Sequence, residues 1–175
     1  GFIPNWAMWF VLELEEYRYA RGGDQALVNE LKGHIFALLD YFKKFENSDG
    51  LLEDLDGWIF LEWSRANDKD VVCGVNYPTN MTYAACLEAA GHLYDEPSLC
   101  VKGHTIKEQV RRQSFNGSFF VDNAIRIDGV LTPTETTTEV CQYYAFFFGV
   151  ASPERDGELL ETLLHKFGPE RNRNT

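Results

Sequence analysis

The sequence predicts a mainly α fold in which inner and outer helices alternate as consecutive hairpins, and two observations carry this prediction. Hydrophobic residues recur at helical spacing over six segments, and these segments alternate between apolar on nearly every side and apolar along one stripe. A helix that is apolar all round is buried, whereas a helix with one stripe lies at the surface. The resulting order is typical of hairpins arranged around an axis, as in an α/α toroid or a solenoid.

The inner helices are the first, third and fifth of the six. Their sequences are "NWAMWFVLELEEYRYA", the alanine-rich "TNMTYAACLEAAGHL" and "TEVCQYYAFFFGV". The other three are amphipathic, and in the second helix five large apolar residues share one face: Leu27, Leu31, Ile35, Leu38 and Phe42. The six helices are expected over about residues 5–20, 25–45, 79–93, 98–115, 138–150 and 157–167.

The links between the helices alternate in length as well. Inner-to-outer links are short, at residues 21–24, 95–98 and 151–156, whereas the outer-to-inner links 46–78 and 116–137 are long. All outer-to-inner links of such an array emerge at the end where the inner helices begin, and long loops in compact domains usually carry function. We therefore expect binding residues at that end.

One segment departs from the helical pattern. The second long link contains "SFFVDNAIRIDG", whose Val and Ile residues predict a short β element near residues 119–128. The Asp-Gly that ends this segment is typical of a hairpin turn.

Composition and charge limit the class of ligand. The chain is 45% hydrophobic and 14% aromatic, which indicates one packed domain with a large core, and its net charge is −11. An acidic chain is a poor partner for nucleic acid or for an anionic membrane surface, since both require patches of Lys and Arg. The longest apolar run, near residues 143–151, is far shorter than the roughly 20 residues of a membrane span. We expect a neutral or cationic ligand.

No metal or cofactor is expected. The four cysteines are widely spaced without a C-x-x-C pair, and the histidines show no metal-ligand spacing. The sequence also contains no phosphate-binding loop, dinucleotide fingerprint or nucleophile elbow.

The segment "DGWIFLEWS", at residues 56–64 in the longest link, is the main candidate site. Glu62 lies beside Trp63 and close to Trp58. A carboxylate next to an indole can accept hydrogen bonds from sugar hydroxyls while the ring stacks on the C–H face of the sugar. The alternative is that the aromatic residues close the end of the helical array while the acids of the link face water.

Two further residues are candidates because they are expected at the same end. Trp6 lies near the start of the first inner helix, although core packing also explains both Trp6 and Trp9. Glu135 precedes the fifth helix in "PTETTTE", where Thr136 or Thr137 is expected to cap the helix. Ordinary chemistry of a helix N-terminus explains glutamates in this segment equally well.

Three segments together resemble successive parts of one enzyme family. "FIPNWAMWFVLELEEYRYARGGD", "DGLLEDLDGWIFLEWS" and "TETTTEVCQYYAFFFGVA" are similar, in order and with compatible spacing, to the catalytic domain of bacterial α-L-rhamnosidases. The W-x-F-x-[DE]-W element is the most specific of these similarities, because related six-hairpin glycosidases share the others. The resemblance covers most of the chain.

The resemblance implies an (α/α)6 barrel that hydrolyses terminal α-L-rhamnosides with inversion. It implies that Trp63 contributes to the sugar pocket, with Glu62 where the family usually has Asp and Asn5 where it often has Asp. The family's general acid and proposed general base fall upstream and downstream of the chain, so no catalytic residue is expected here. We expect residues 1–175 to be part of a single six-hairpin glycosidase domain, to belong to a longer polypeptide and to be inactive alone.

Further expectations concern partners and alternatives. Six helices are half of a twelve-helix barrel, so exposed inner-helix surface is expected to pack against the remaining barrel segments or in a homo-oligomer. The compartment stays open between a bacterial cytoplasm and periplasm. Two other functions also stay open: another six-hairpin carbohydrate-active enzyme, because a fold does not fix the substrate, or a non-enzymatic helical-repeat module that binds a protein.

Overall fold

Three helical hairpins make up most of the fold, as predicted. The computed structural model describes residues 1–166, so the predicted end of the last helix at Phe167 and the polar tail after it lie outside the described residues. In each hairpin a short link joins two consecutive long helices, and the first long link contains a single-turn 3-10 helix (Arg65–Asn67) and a single-turn α-helix. The helices are α1 (Pro4–Tyr19), α2 (Gln25–Lys43), α3 (Lys69–Val72), α4 (Tyr77–Tyr94), α5 (Pro97–Ser114), α6 (Glu139–Phe147) and α7 (Gly157–Lys166).

The centre of the fold is α4, which contacts α1, α2, α5 and α6. Nearly all of its residues are buried, including the fully buried side chains of Tyr77 and Tyr83. Glycines allow α5 to approach it closely, since a Cβ at Gly103 would lie 2.6 Å from the carbonyl oxygen of Ala84. The prediction of an inner helix buried on all sides is therefore confirmed for α4.

α1 and α6 are not buried on all sides, although their apolar sequences taken alone predict it. Their exposure agrees with the exposed inner-helix surface that is expected for half of a barrel. In α1, Trp6 is 60% exposed and Phe10 is 47% exposed, while in α6 Phe147 is 70% exposed. Each of these helices packs on α4 along one face, and no other element among residues 1–166 covers the opposite face. Their apolar sequences therefore leave aromatic side chains at the surface.

Side-chain caps set where two inner helices begin. α4 begins at Tyr77, because the Asn76 side chain accepts a hydrogen bond from the backbone N–H of Thr79 at 3.0 Å. α6 begins at Glu139, and its cap is Thr138, whose hydroxyl accepts from the N–H of Cys141. The expected cap at Thr136 or Thr137 is wrong, because the buried Asp122 carboxylate holds Thr138 in the capping position.

A small antiparallel sheet joins the two long links. Its strands are β1 (Val75–Asn76), β2 (Asn123–Ile127) and β3 (Val130–Pro133), in the order β1-β2-β3. Asp128 and Gly129 both have positive φ, which suits the tight turn between β2 and β3. The predicted β element near residues 119–128 is confirmed as a hairpin that begins and ends later, whereas β1 was not predicted.

The sheet also places both long links at one end of the molecule, where α4 and α6 begin. This agrees with the end predicted from the alternation of link lengths. No helix among residues 1–166 combines the length and the hydropathy that crossing a membrane requires.

Candidate functional site

Three tryptophans surround Phe60 near the start of α1. The Phe60 ring centroid lies 4.8 Å from that of Trp63, 5.3 Å from that of Trp58 and 6.1 Å from that of Trp6, with edge-to-face geometry in each pair. Phe60 is buried, whereas Trp63 is 83% exposed. We call Trp6, Trp58, Phe60 and Trp63 the aromatic wall. The structure thus brings together three of the five predicted site residues.

The backbone of the wall is fixed at several points. The N–H of Trp58 donates to the carbonyl oxygen of Phe2 at 3.0 Å, and the N–H of Phe60 donates to Asn5 Oδ1 at 3.1 Å. The Leu61 N–H donates to Asn67 Oδ1 at 3.0 Å. The exposed indoles therefore project from a segment whose own backbone is held in place.

Glu62, the fourth predicted residue, lies next to Trp63 in the chain and near the hydroxyl of Tyr144 in α6. The Tyr144 hydroxyl donates to the carbonyl oxygen of Leu61 at 3.3 Å. Burial raises the pKa of Tyr144, a hydrogen bond with Trp9 opposes that rise, and the Glu62 carboxylate adds to it. The Glu62 side chain is half-buried and makes no hydrogen bond or ion pair within the described part of the chain. Its carboxylate is therefore available to a ligand.

Glu135, the fifth predicted residue, lies apart from this group. It is exposed in the segment between β3 and α6, and no hydrogen bond, ion pair or ring contact among residues 1–166 connects it to the aromatic wall. The structure places Glu135 at the predicted end of the molecule but does not bring it to the other four residues.

Asp122 supports this end from inside the protein. It is fully buried and accepts hydrogen bonds from the Thr138 N–H at 2.6 Å and from the Thr138 hydroxyl at 2.5 Å. Burial raises its pKa to about 6, although both Thr138 hydrogen bonds and the charge of Arg65 act in the opposite direction. Its backbone carbonyl accepts from the N–H of Tyr77 at 2.8 Å, so Asp122 connects the starts of α4 and α6.

The acidic residues that precede the aromatic wall in the first long link form hydrogen bonds and ion pairs within the protein. Glu53 forms a two-pronged ion pair with Arg126 of β2 at 2.6 and 2.9 Å, and hydrogen bonding to Arg126 holds the pKa of Glu53 below its ordinary value. Asp54 accepts from the N–H of Gly74, and Asp49 accepts from the side chain of Gln113. These contacts explain the acidic residues of the link without a ligand.

Tyr144 was not identified from the sequence as part of this site, and Asn5 was noted only because the resemblance places it where the family often has Asp. Asn5 is 1% exposed and uses its side chain to hold Phe60, while Tyr144 reaches from α6 to Leu61. The available signal was a polar atom within an apolar helix, since buried polar groups need hydrogen-bond partners. The identity of those partners was not visible because they lie 55 and 83 positions away in the chain.

The side chains of this region indicate which kind of ligand it can bind. Residues 1–166 contain no group of three or more His, Cys, Asp or Glu side chains that could hold a metal ion. Trp63 offers an exposed indole and Glu62, the residue before it, offers a carboxylate without a hydrogen-bond partner among residues 1–166. An apolar surface with a few polar groups is typical of ligand sites.

Comparison with known proteins supports the fold. No protein-family model matches the chain, and neither does any curated protein. Among solved structures, the chain is similar to the crystal structure of a GH78 family rhamnosidase of Bacillus sp. GL1, with a TM-score of 0.76 and 21% sequence identity. The match covers 93% of this chain and 17% of that chain. The fold is therefore similar to that of a segment of this larger structure.

Proposed function

We propose that this chain is part of a glycoside hydrolase that cleaves terminal α-L-rhamnosides with inversion, and that it supplies part of the wall of the sugar pocket. The observation that carries the proposal is Trp63, which is 83% exposed although it packs on the buried ring of Phe60 at 4.8 Å. Leaving a large indole in water is unfavourable, and holding it in a defined position is useful when the ring face binds a ligand.

A deoxyhexose fits the chemistry of this site. The indole of Trp63 can cover the C–H face of the sugar ring, with Trp58 and Trp6 extending the apolar surface. The carboxylate of Glu62 can accept hydrogen bonds from neighbouring sugar hydroxyls, and such charge-assisted hydrogen bonds are stronger than neutral ones. Glu135 would contact a ligand only if that ligand extends beyond the aromatic wall.

No catalytic role falls to a residue of this chain. Inverting hydrolysis requires two carboxyl groups about 6.5–9.5 Å apart on either side of the glycosidic bond. We expect both groups in other parts of a longer polypeptide in which residues 1–175 belong to a single six-hairpin domain. The isolated chain should therefore bind sugar weakly and hydrolyse nothing.

The exposed apolar faces of α1 and α6 fit this assignment. Phe10 and Phe147 are 47% and 70% exposed on helices that pack on α4 only along one side. In the proposed enzyme, the remaining helices of the barrel cover these faces. In their absence a second copy of the chain is the alternative cover.

The decisive experiment is hydrolysis of an aryl α-L-rhamnoside by the polypeptide that contains this chain. Trp63→Ala should lower kcat/KM at least about tenfold, a loss of about 1.4 kcal/mol of transition-state binding. Val101→Ala is the matched control, because Val101 is an apolar residue of α5 that is 66% exposed and makes no contact with the aromatic wall. Circular dichroism of each variant confirms that the fold is intact.

Each other outcome points to a different function. Equal activity in Trp63→Ala and the parent removes Trp63 from the pocket. Cleavage of other aryl glycosides without cleavage of the rhamnoside indicates another six-hairpin carbohydrate-active enzyme. Absence of hydrolysis with every glycoside tested indicates a non-enzymatic binding module.

A further inference from the structure

A buried series of hydrogen bonds runs behind the aromatic wall. The Phe60 N–H donates to Asn5 Oδ1 at 3.1 Å, and Asn5 Nδ2 donates to Thr79 Oγ1 at 3.1 Å. The Thr79 hydroxyl donates to Asn76 Oδ1 at 2.7 Å, and Asn76 Nδ2 donates to the carbonyl oxygen of Val71 at 3.1 Å. We call these four bonds the amide relay. It connects the wall segment with α1, the start of α4 and the end of α3.

The direction of the amide relay is fixed by its two ends. The Phe60 N–H can only donate, and the Val71 carbonyl can only accept. Asn5 must therefore turn its oxygen toward Phe60 and its NH2 group toward Thr79. The Thr79 hydroxyl then accepts from Asn5 and must donate to Asn76, which has its oxygen on that side because it also accepts the Thr79 N–H at 3.0 Å.

We propose that Asn5 is a positioning residue for the aromatic wall, acting through the amide relay, and that its NH2 group is needed as much as its oxygen. The three side chains of the relay are at most 4% exposed, so water cannot replace a lost bond without opening the packing. The part of this inference that concerns ligand binding rests on the proposed function of the aromatic wall.

Asn67 provides a natural comparison within the same segment. Its Oδ1 accepts from the N–H of Leu61, the residue after Phe60, at 3.0 Å. Its NH2 group has no hydrogen-bond partner within residues 1–166. A carboxylate can therefore take over the function of Asn67, whereas an ionised carboxylate in place of Asn5 cannot donate to Thr79.

The first test breaks the relay without touching the wall. The full chain is labelled with 5-fluorotryptophan, and the fluorine resonances of its four tryptophans are assigned by single Trp→Phe variants. Thr79→Val keeps the shape of the side chain but removes the hydroxyl. We expect it to shift the resonances of Trp58 and Trp63, whereas Trp9, which packs on Phe147 and Phe148, stays in place.

Thr82→Val is the matched control for this test. Thr82 is also fully buried in α4, and its hydroxyl donates to the carbonyl oxygen of Pro78 within the helix. We expect no change in the wall resonances for this variant. Equal shifts in Thr79→Val and Thr82→Val would overturn the proposal, because the wall would then respond to any lost hydroxyl in α4.

A second pair of variants keeps the proposal testable if Thr79→Val does not fold. Asn5→Asp and Asn67→Asp both preserve the oxygen that holds the wall backbone. We expect the wall resonances of Asn5→Asp to differ from those of the unsubstituted chain at pH 9 and to approach them at pH 5. Burial raises the pKa of a carboxyl group at this 1% exposed position, so the carboxyl is protonated at pH 5 and can donate again. Asn67→Asp should match the unsubstituted chain at both pH values. Wall resonances of Asn5→Asp that stay unchanged at pH 5 and 9 contradict the proposal.

This readout is independent of the sugar. If the relay variants move the wall resonances but Trp63→Ala does not lower hydrolysis of the aryl α-L-rhamnoside by the polypeptide that contains this chain, Asn5 positions the wall and the proposed function of the wall is wrong. If L-rhamnose perturbs Trp63 and the relay variants leave the wall unchanged, the proposed function stands and the role of Asn5 is wrong.

Discussion

α4 and α6 both have largely apolar sequences, yet they differ in how the fold covers them. In α4, aromatic side chains such as Tyr77 and Tyr83 are fully buried, whereas in α6 Tyr143 is 45% exposed and Phe147 is 70% exposed. The cause is position, because α4 contacts four other long helices and α6 has helix packing along one side. A sequence that is apolar all round shows that the surface of the helix must be buried, but it does not show which element buries that surface.

The largest expected effect comes from a cavity in the fully covered helix. Leu87 of α4 is 1% exposed, so Leu87→Ala should lower the free energy of unfolding by about 2–5 kcal/mol. Phe10→Ala, on the open face of α1, should cost less than about 1 kcal/mol, because Phe10 is already 47% exposed and Ala favours the helix. Urea unfolding followed by circular dichroism measures both. Equal losses would mean that the open face of α1 is covered in solution.

A smaller effect on the free energy of unfolding is expected where α5 packs most closely on α4. A Cβ at Gly103 of α5 would lie 2.6 Å from the Ala84 carbonyl oxygen and 2.7 Å from Cγ of Glu88. Gly103→Ala should therefore separate α4 and α5 and cost about 1–3 kcal/mol of unfolding free energy. Gly33→Ala in α2 is the matched control and should stabilise the protein by about 0.5–1 kcal/mol, since no atom lies within 4 Å of its Cβ position. A stabilising Gly103→Ala would show that the two helices pack less tightly.

Periodicity and link length predicted most of the fold because both are local properties of the chain. The alternation of inner and outer helices, the end that carries the long links and the hairpin near residues 119–128 follow from short windows of sequence. The contact of Trp58 and Trp63 with Phe60 was also within reach, since all three lie in one segment. Contacts between side chains from distant segments could not be predicted.

Two residues show why the remainder could not be predicted. Thr138 caps α6 because the Asp122 carboxylate, 16 positions earlier, holds it, and nothing in "PTETTTE" distinguishes it from the preceding threonines. Glu53 is one of several acids in the first long link, and nothing in the sequence shows that Arg126, 73 positions away, pairs with it. In both cases a polar group takes its function from a contact that only the folded chain creates.

The smallest expected effect concerns the buried residue Asp122, whose hydrogen bonds to Tyr77 and Thr138 connect the starts of α4 and α6. Its pKa of about 6 in the folded protein lies above the ordinary value of 3.8, so the folded state binds the proton more tightly than the unfolded state. The stabilisation from this group is therefore present at low pH and is lost as the pH rises through about 6. Between pH 5 and 6.5 the loss should be roughly 1 kcal/mol.

Other carboxyl groups act in a different pH window. The pKa values of Glu53 and Asp156 are lowered, so their stabilisation is lost as the pH falls below their ordinary values of 4.5 and 3.8. The difference in unfolding free energy between the unsubstituted chain and Asp122→Asn isolates the Asp122 contribution above pH 5, because all other groups titrate alike in both. We expect this difference to change with pH and the change to end above about pH 7. A difference that stays constant from pH 5 to 7 would mean that Asp122 is ionised throughout, and that its hydrogen bonds to Thr138 outweigh burial.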